Sequence, residues 1–134
     1  MSDSVAAARR WLDVLAAGAI DEWDTIADAN LSMHVPLMPG EPDTPTVGRE
    51  PNRARVEALW KAWESFRFHD ADIHAAADDP NLVFVHVYSE AKTVWGAEYR
   101  NRYFIRLRFQ DGKVAEHLEF MDPRPVLTAF EGHL

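Results

Sequence analysis

No cysteine occurs among the 134 residues, so neither a disulfide framework nor a thiolate metal site can be built, and the fold must stand on packing alone. No apolar run approaches the roughly 20 residues of a membrane-spanning helix. The stretch from Met1 to Arg10 lacks the charged-then-apolar order of a signal peptide. A cytoplasmic protein without a membrane partner is expected. Basic charge is also scarce: 14 Lys and Arg against 22 Asp and Glu give a formal net charge of -8. Phosphate backbones attract the opposite balance, so nucleic acid is not an expected partner. The six histidines, His34, His69, His74, His86, His117 and His133, are scattered, with no i, i+4 pair and no His-Glu-x-x-His run. No metal site is expected. A Gly-x-Ser-x-Gly elbow and a phosphate-binding glycine loop are missing as well.

What is present suits one domain spanning 1–134, since 47% of the residues are hydrophobic and the length is that of a typical domain. Val5, Ala8, Leu12 and Leu15, with Trp11 beside them, recur at helical spacing from Ser4 to Ala17, and Gly18 is a natural stop. A second helix is predicted over Asp21 to Ala29, with Asp21 as N-cap and Trp23, Ile26 and Ala27 inward. Leu31 to Val35 is a short strand candidate. Pro36, Pro39, Gly40, Pro42 and Pro45 then enforce a loop until Val47. A third helix is predicted from about Glu50 to Ser65, with Pro51 in its first turn and Val56, Leu59, Trp60 and Trp63 as its apolar stripe.

Beyond it the period changes to two. Strands are predicted at Phe66 to Ala75, Leu82 to Ala91, Tyr99 to Gln110 and Val114 to Met121, punctuated by Asp79-Pro80-Asn81, Gly96 and Asp111-Gly112. Leu127 to Phe130 is a short helix or a docked tail. Helices first and antiparallel strands afterwards make an α+β layer, with the helices on one face of the sheet. If the sheet is strongly curved, as in a cystatin-like cone, three N-terminal helices and the sheet leave a concave pocket between them, the usual setting for a small organic ligand.

The leading candidate for chemistry is Glu119, which shares a strand face with Ala115, His117 and Met121, opposite Leu118 and Phe120. Both faces are partly apolar. A carboxyl enclosed there suits general acid or base work, whereas a solvent-facing Glu would be merely structural. On the preceding strand, Tyr99, Asn101, Tyr103, Ile105, Leu107 and Phe109 alternate with Arg100, Arg102, Phe104, Arg106 and Arg108. The first set is expected inward, with Asn101 and Tyr103 reaching the pocket as hydrogen-bond donors. The Arg set is expected on a solvated exterior or a dimer surface.

Glu57 and Lys61, at i, i+4 on the third helix, are either a surface ion pair or an acid/base and an anchor at the pocket mouth. His34, beside the proline loop, is a candidate proton shuttle. Trp60, Tyr88 and His117 complete the substrate-binding candidates.

The ending from Asp111 to Pro123, Asp-Gly-Lys-Val-Ala-Glu-His-Leu-Glu-Phe-Met-Asp-Pro, resembles the final hairpin of the SnoaL-like polyketide-cyclase and ketosteroid-isomerase-related branch of the nuclear transport factor 2-like superfamily. In the cyclases the acidic position, here Glu119, serves as acid/base. Gly40-Glu41-Pro42, Gly48-Arg49-Glu50, Trp60, Asp79-Pro80-Asn81, Asn101 with Tyr103, and Glu119-Phe120-Met121 are similar to the phenazine-biosynthesis A/B proteins, although Glu57 and Lys61 stand where that subfamily carries a catalytic His and Ser. The resemblance implies a homodimer formed through the sheet, no cofactor, and proton-transfer chemistry: cyclisation, isomerisation, dehydration or imine condensation in secondary metabolism. Asn101, Tyr103 or Lys61 would stabilise an oxyanion. Two other functions are compatible with the fold: a limonene-type epoxide hydrolase, which would need an Arg-x-Asp pair that no pocket-facing strand carries, and a non-catalytic binding or interaction module.

Overall fold

A computed structural model describes residues 3–41 and 43–133 of the chain. Pro42 of the proline loop lies outside the described residues, as do Met1, Ser2 and Leu134. The element order is α1 (Asp3–Ala17), a single 3-10 turn (Ile20–Glu22), α2 (Trp23–Ile26), β1 (Ala27–His34), β2 (Thr46–Val47), α3 (Arg49–Trp60), β3 (Trp63–Ala76), β4 (Asp79–Thr93), β5 (Glu98–Gln110), β6 (Lys113–Met121) and α4 (Arg124–Ala129). The six strands form one curled sheet in the order β2-β1-β6-β5-β4-β3. Adjacent strands are antiparallel, except that β1 runs parallel to β6, a pairing absent from the expected antiparallel sheet.

Helix α1 presents Ala8, Trp11, Leu12 and Val14 to the core and packs on β3 and β4. It stops where expected. Gly18 takes a φ of +66°, and the N–H of Ala19 turns back to Val14 O, closing the last turn. At the other end of the chain, Asp111 and Gly112 both have positive φ, the geometry that lets a two-residue turn follow the strand twist between β5 and β6.

Two helices are shorter than their spacing suggests. Only one α-helical turn, Trp23–Ile26, follows the 3-10 turn, and no side chain caps either. Ala27 already pairs with Val114, so the parallel ladder to β6 claims the residues that local propensity leaves undecided. Helix α3 ends at Trp60 rather than near Ser65, because the chain reverses through Lys61 and Ala62 and the N–H of Val94 bonds to Ala62 O. Trp63 therefore begins β3, and its helical spacing from Trp60 is coincidental. Asp79-Pro80-Asn81 is not the turn but the start of β4, the turn being Ala77 and Asp78. Proline is tolerated there at a strand end.

Asn52 fastens α3 to the sheet edge. It is fully buried, and its Nδ2 lies 2.9 Å from the carbonyl oxygens of Leu31, Thr46 and Gly48. Those carbonyls belong to β1, to β2 and to the residue before α3. Replacing Asn52 with Ala strands buried acceptors, and the expected loss is about 1–3 kcal/mol. A lower urea midpoint with an unchanged slope would record it.

Candidate active site

Between α3 and the concave face of the sheet lies a cavity of about 300 Å³, at the small end of ligand-sized pockets. Its walls are mostly apolar. Leu15, Met33, Val35, Met38, Val56, Leu59 and Val126 supply aliphatic surface, and Trp60, Trp63, Phe66, Phe68 and Phe130 supply rings. Trp63 sits 5.3 Å from both Tyr99 and Phe130 and 5.4 Å from Phe66, ring centre to ring centre, so the aromatic wall is continuous.

Glu119 and His117 reach this cavity from β6. A bulge puts them there: Arg108 pairs with Glu116 and Phe109 with Val114, so Ala115 is the extra residue and both Val114 and His117 turn inward. The His117 Nε2 is 2.9 Å from Glu119 Oε1, and the Trp11 indole N–H donates to His117 Nδ1 at 3.0 Å. Exposure of the two side chains is 1% for His117 and 16% for Glu119. Among the described residues nothing hydrogen-bonds Glu119 Oε2.

A second polar group faces the same space. Tyr103 Oη lies 2.7 Å from Ser89 Oγ and 3.0 Å from Tyr99 Oη, and Asn101 Nδ2 donates to Tyr99 Oη at 2.9 Å. Three hydroxyls thus carry three protons but share two contacts. When Ser89 donates into the chain, the remaining O–H belongs to Tyr99 or Tyr103, both of which line the cavity. Burial pushes both phenols above their ordinary value. For Tyr103 the neighbouring Tyr99 and the Glu119 charge add to the effect; for Tyr99 the hydrogen bonds from Tyr103 and Asn101 oppose it and the Glu119 charge adds to it. The two phenols stay protonated and remain donors.

The lining includes one cation, Arg55, and it is occupied. Its Nη2 grips Glu41 at 2.5 and 2.7 Å and its Nη1 donates to Thr46 Oγ1 at 2.9 Å. This pair clips the proline loop to α3 and leaves Glu119 as the unmatched charge of the cavity.

A model of the SnoaL-like domain matches residues 8–117. The chain belongs to the SnoaL-like domain family. Solved structures agree on the SnoaL-like fold. A candidate isomerase from Bacillus subtilis superposes with a TM-score of 0.87 at 17% identity, covering 98% of this chain and 95% of that one. A candidate polyketide cyclase from Pseudomonas putida gives 0.81 at 12% identity over 96% and 98%. A phenazine biosynthesis-related protein from Pseudomonas aeruginosa gives 0.79 at 14% identity over 95% and 80%. No curated protein matches the chain.

Within this SnoaL-like domain the structure brings together Glu119, His117, Tyr103 and Trp60 at the cavity. It places the other candidates elsewhere. Glu57 and Lys61 are exposed and no ion pair joins them among the described residues; the face of α3 over the cavity is Asn52, Arg55, Val56, Leu59 and Trp60. His34 lies between two cavity residues, Met33 and Val35, and so points from the opposite face of β1, where its Nε2 is buried with no partner among the described residues. Tyr88 is on the outer face of the sheet, stacked on His69 at 5.6 Å. Asn101 does not line the cavity; its amide holds Tyr99 Oη and Asp122 O. Sequence reasoning missed Trp11, Ser89, Tyr99 and Arg55 as members of the site. For Arg55 the i, i+4 relation to Leu59 was an available signal.

Because the folded protein holds protons on Tyr99 and Tyr103 that an unfolded chain releases near pH 10, stability from these phenols is fully present below that pH and falls as pH rises beyond it, by about 1.4 kcal/mol per unit for each phenol. In an alkaline titration followed by phenolate absorbance and circular dichroism, these two should ionise only as the fold is lost. Reversible ionisation near pH 10 in the folded protein would show them to be open to solvent.

Proposed function

We propose that this protein is a small-molecule enzyme that moves protons without a cofactor, with Glu119 as acid/base and the tyrosine hydroxyl chain as the partner of a developing oxyanion. The observation that carries the reading is a carboxylate in an apolar, aromatic-walled cavity, with one oxygen held by His117 and the other open to a ligand. A carbonyl compound with an acidic neighbouring C–H fits such a site. Glu119 removes the proton, the phenolic O–H of Tyr99 or Tyr103 donates a hydrogen bond to the enolate oxygen, and Glu119 returns the proton at a second carbon or to a leaving oxygen. Ring closure, isomerisation and dehydration all share this first step. Ketosteroid isomerases work by the same logic, a carboxylate base beside neutral hydrogen-bond donors. Family membership supports the reading, as do two structural neighbours, the candidate isomerase and the candidate polyketide cyclase.

The test needs no natural substrate. Deuterium exchange next to the carbonyl of 2-tetralone, a bicyclic ketone, measures proton removal directly. E119Q should lower the rate about 10²- to 10⁴-fold, as for removal of a general base. Unchanged exchange in E119Q would sink the assignment.

The homodimer belongs to the same proposal. On the convex side of the sheet Phe84, Phe104 and Phe120 are 49%, 65% and 44% exposed, and Phe104 pairs across strands with both His86 and Phe120. On one side of Phe104 the arginines are matched within the chain, Arg106 to Glu116 and Arg108 to Asp79, and on the other Arg102 is exposed without an ion pair among the described residues, which leaves an apolar centre with a polar rim, as stable interfaces have. Sedimentation should give a dimer for the wild type and a monomer for F104E; a monomeric wild type would remove the dimer from the proposal.

A further inference from the structure

Four tryptophan indoles in the described residues donate a hydrogen bond, and three of them end on backbone carbonyls: Trp23 on Arg49, Trp60 on Leu15 and Trp95 on Ala129. Those three fasten one element to another. Trp11 differs, because its acceptor is the side chain of His117, whose other nitrogen touches Glu119.

We infer that Trp11 is a positioning residue that fixes His117 in a single tautomer and thereby decides which oxygen of Glu119 carries a proton. The argument follows from donor inventory. An indole N–H can only donate, so the lone pair of His117 Nδ1 must accept it. A neutral imidazole has one acceptor and one donor, which places its proton on Nε2, aimed at Glu119 Oε1. A hydrogen on Oε1 would meet that N–H head-on. Oε1 is therefore always the acceptor, and any proton that Glu119 takes must sit on Oε2, the oxygen left to the cavity. The ring of Trp11 is fully buried and tilted against Trp23 at 5.2 Å, and His117 is only 1% exposed, so the contact is shielded from bulk solvent.

The functional part rests on the proposed role of Glu119, and the experiment separates the two. Two-bond hydrogen–nitrogen correlation spectra of imidazole-labelled protein read the tautomer of His117 with no substrate present. The wild type should show a bare Nδ1 and a protonated Nε2, and W11F should lose that single pattern. A proton on Nδ1 of the wild type, or an unchanged pattern in W11F, would overturn the inference.

With 2-tetralone, W11F should exchange about tenfold more slowly at unchanged KM, the loss expected when one orienting hydrogen bond is removed. Should W11F not fold, His117 itself supplies the comparison. In H117Q the amide oxygen can accept from Trp11 while the amide N–H donates to Glu119, whereas H117L can do neither. Faster exchange in H117Q than in H117L supports the inference, and equal rates overturn it. A wild type with the single tautomer but no exchange would support the tautomer lock and overturn the proposed acid/base role instead.

Discussion

Large aromatic side chains fill the space between helices and sheet, and each buried indole N–H among them has to find an acceptor. That requirement organises the molecule. Trp23 reaches the start of α3, Trp60 reaches back to α1, and Trp95, in the turn between β4 and β5, holds α4. A buried polar group without a partner costs about 1–3 kcal/mol, so these three donors define the arrangement of the helices more sharply than apolar contact alone can. Trp11 follows the same rule, but its acceptor is a side chain of the site, and so core packing and site geometry meet in one hydrogen bond.

Electrostatics in the cavity follow from pairing as well. Arg55 could have presented a positive charge to any ligand, yet its Nη2 donates to both carboxylate oxygens of Glu41 and its Nη1 to Thr46 Oγ1. With the cation satisfied, the cavity presents one carboxylate, neutral phenols and rings. In the proposed reading such surroundings suit a neutral ligand better than an anionic one. The ion pair also holds the loop after β1 against α3, where Met38 and Pro39 cover part of the cavity.

The two faces of the sheet divide the work by strand alternation. On β5 the inward positions carry Tyr99, Tyr103, Ile105, Leu107 and Phe109, all buried, while the outward ones carry four arginines and Phe104. One bulge on β6 shifts that alternation just where the site needs it, bringing His117 inward so that Glu119, two residues on, follows it into the cavity. In a regular strand Val114 and His117, three residues apart, would lie on opposite faces; the extra residue Ala115 restores both to the inner one.

The α+β class, the first helix with its stop at Gly18, the β5–β6 hairpin and the inward face of β5 were legible in the sequence, because each rests on local periodicity or on a turn residue with a fixed conformational preference. Glu119, His117, Tyr103 and Trp60 were legible as candidates for the same reason, through alternation along strands and spacing along α3, with the family resemblance singling out Glu119. What local pattern could not give was anything that depends on a partner distant in the chain. The parallel pairing that turns Ala27 into a strand, the reversal that moves Trp63 from helix to sheet, and the choice of Arg55 over Glu57 and Lys61 as the charged residue of the third helix at the cavity were decided by tertiary structure. So was the contact between Trp11 and His117, which are 106 positions apart. Periodicity assigns a residue to a face; only the assembled fold selects which buried donor meets which acceptor.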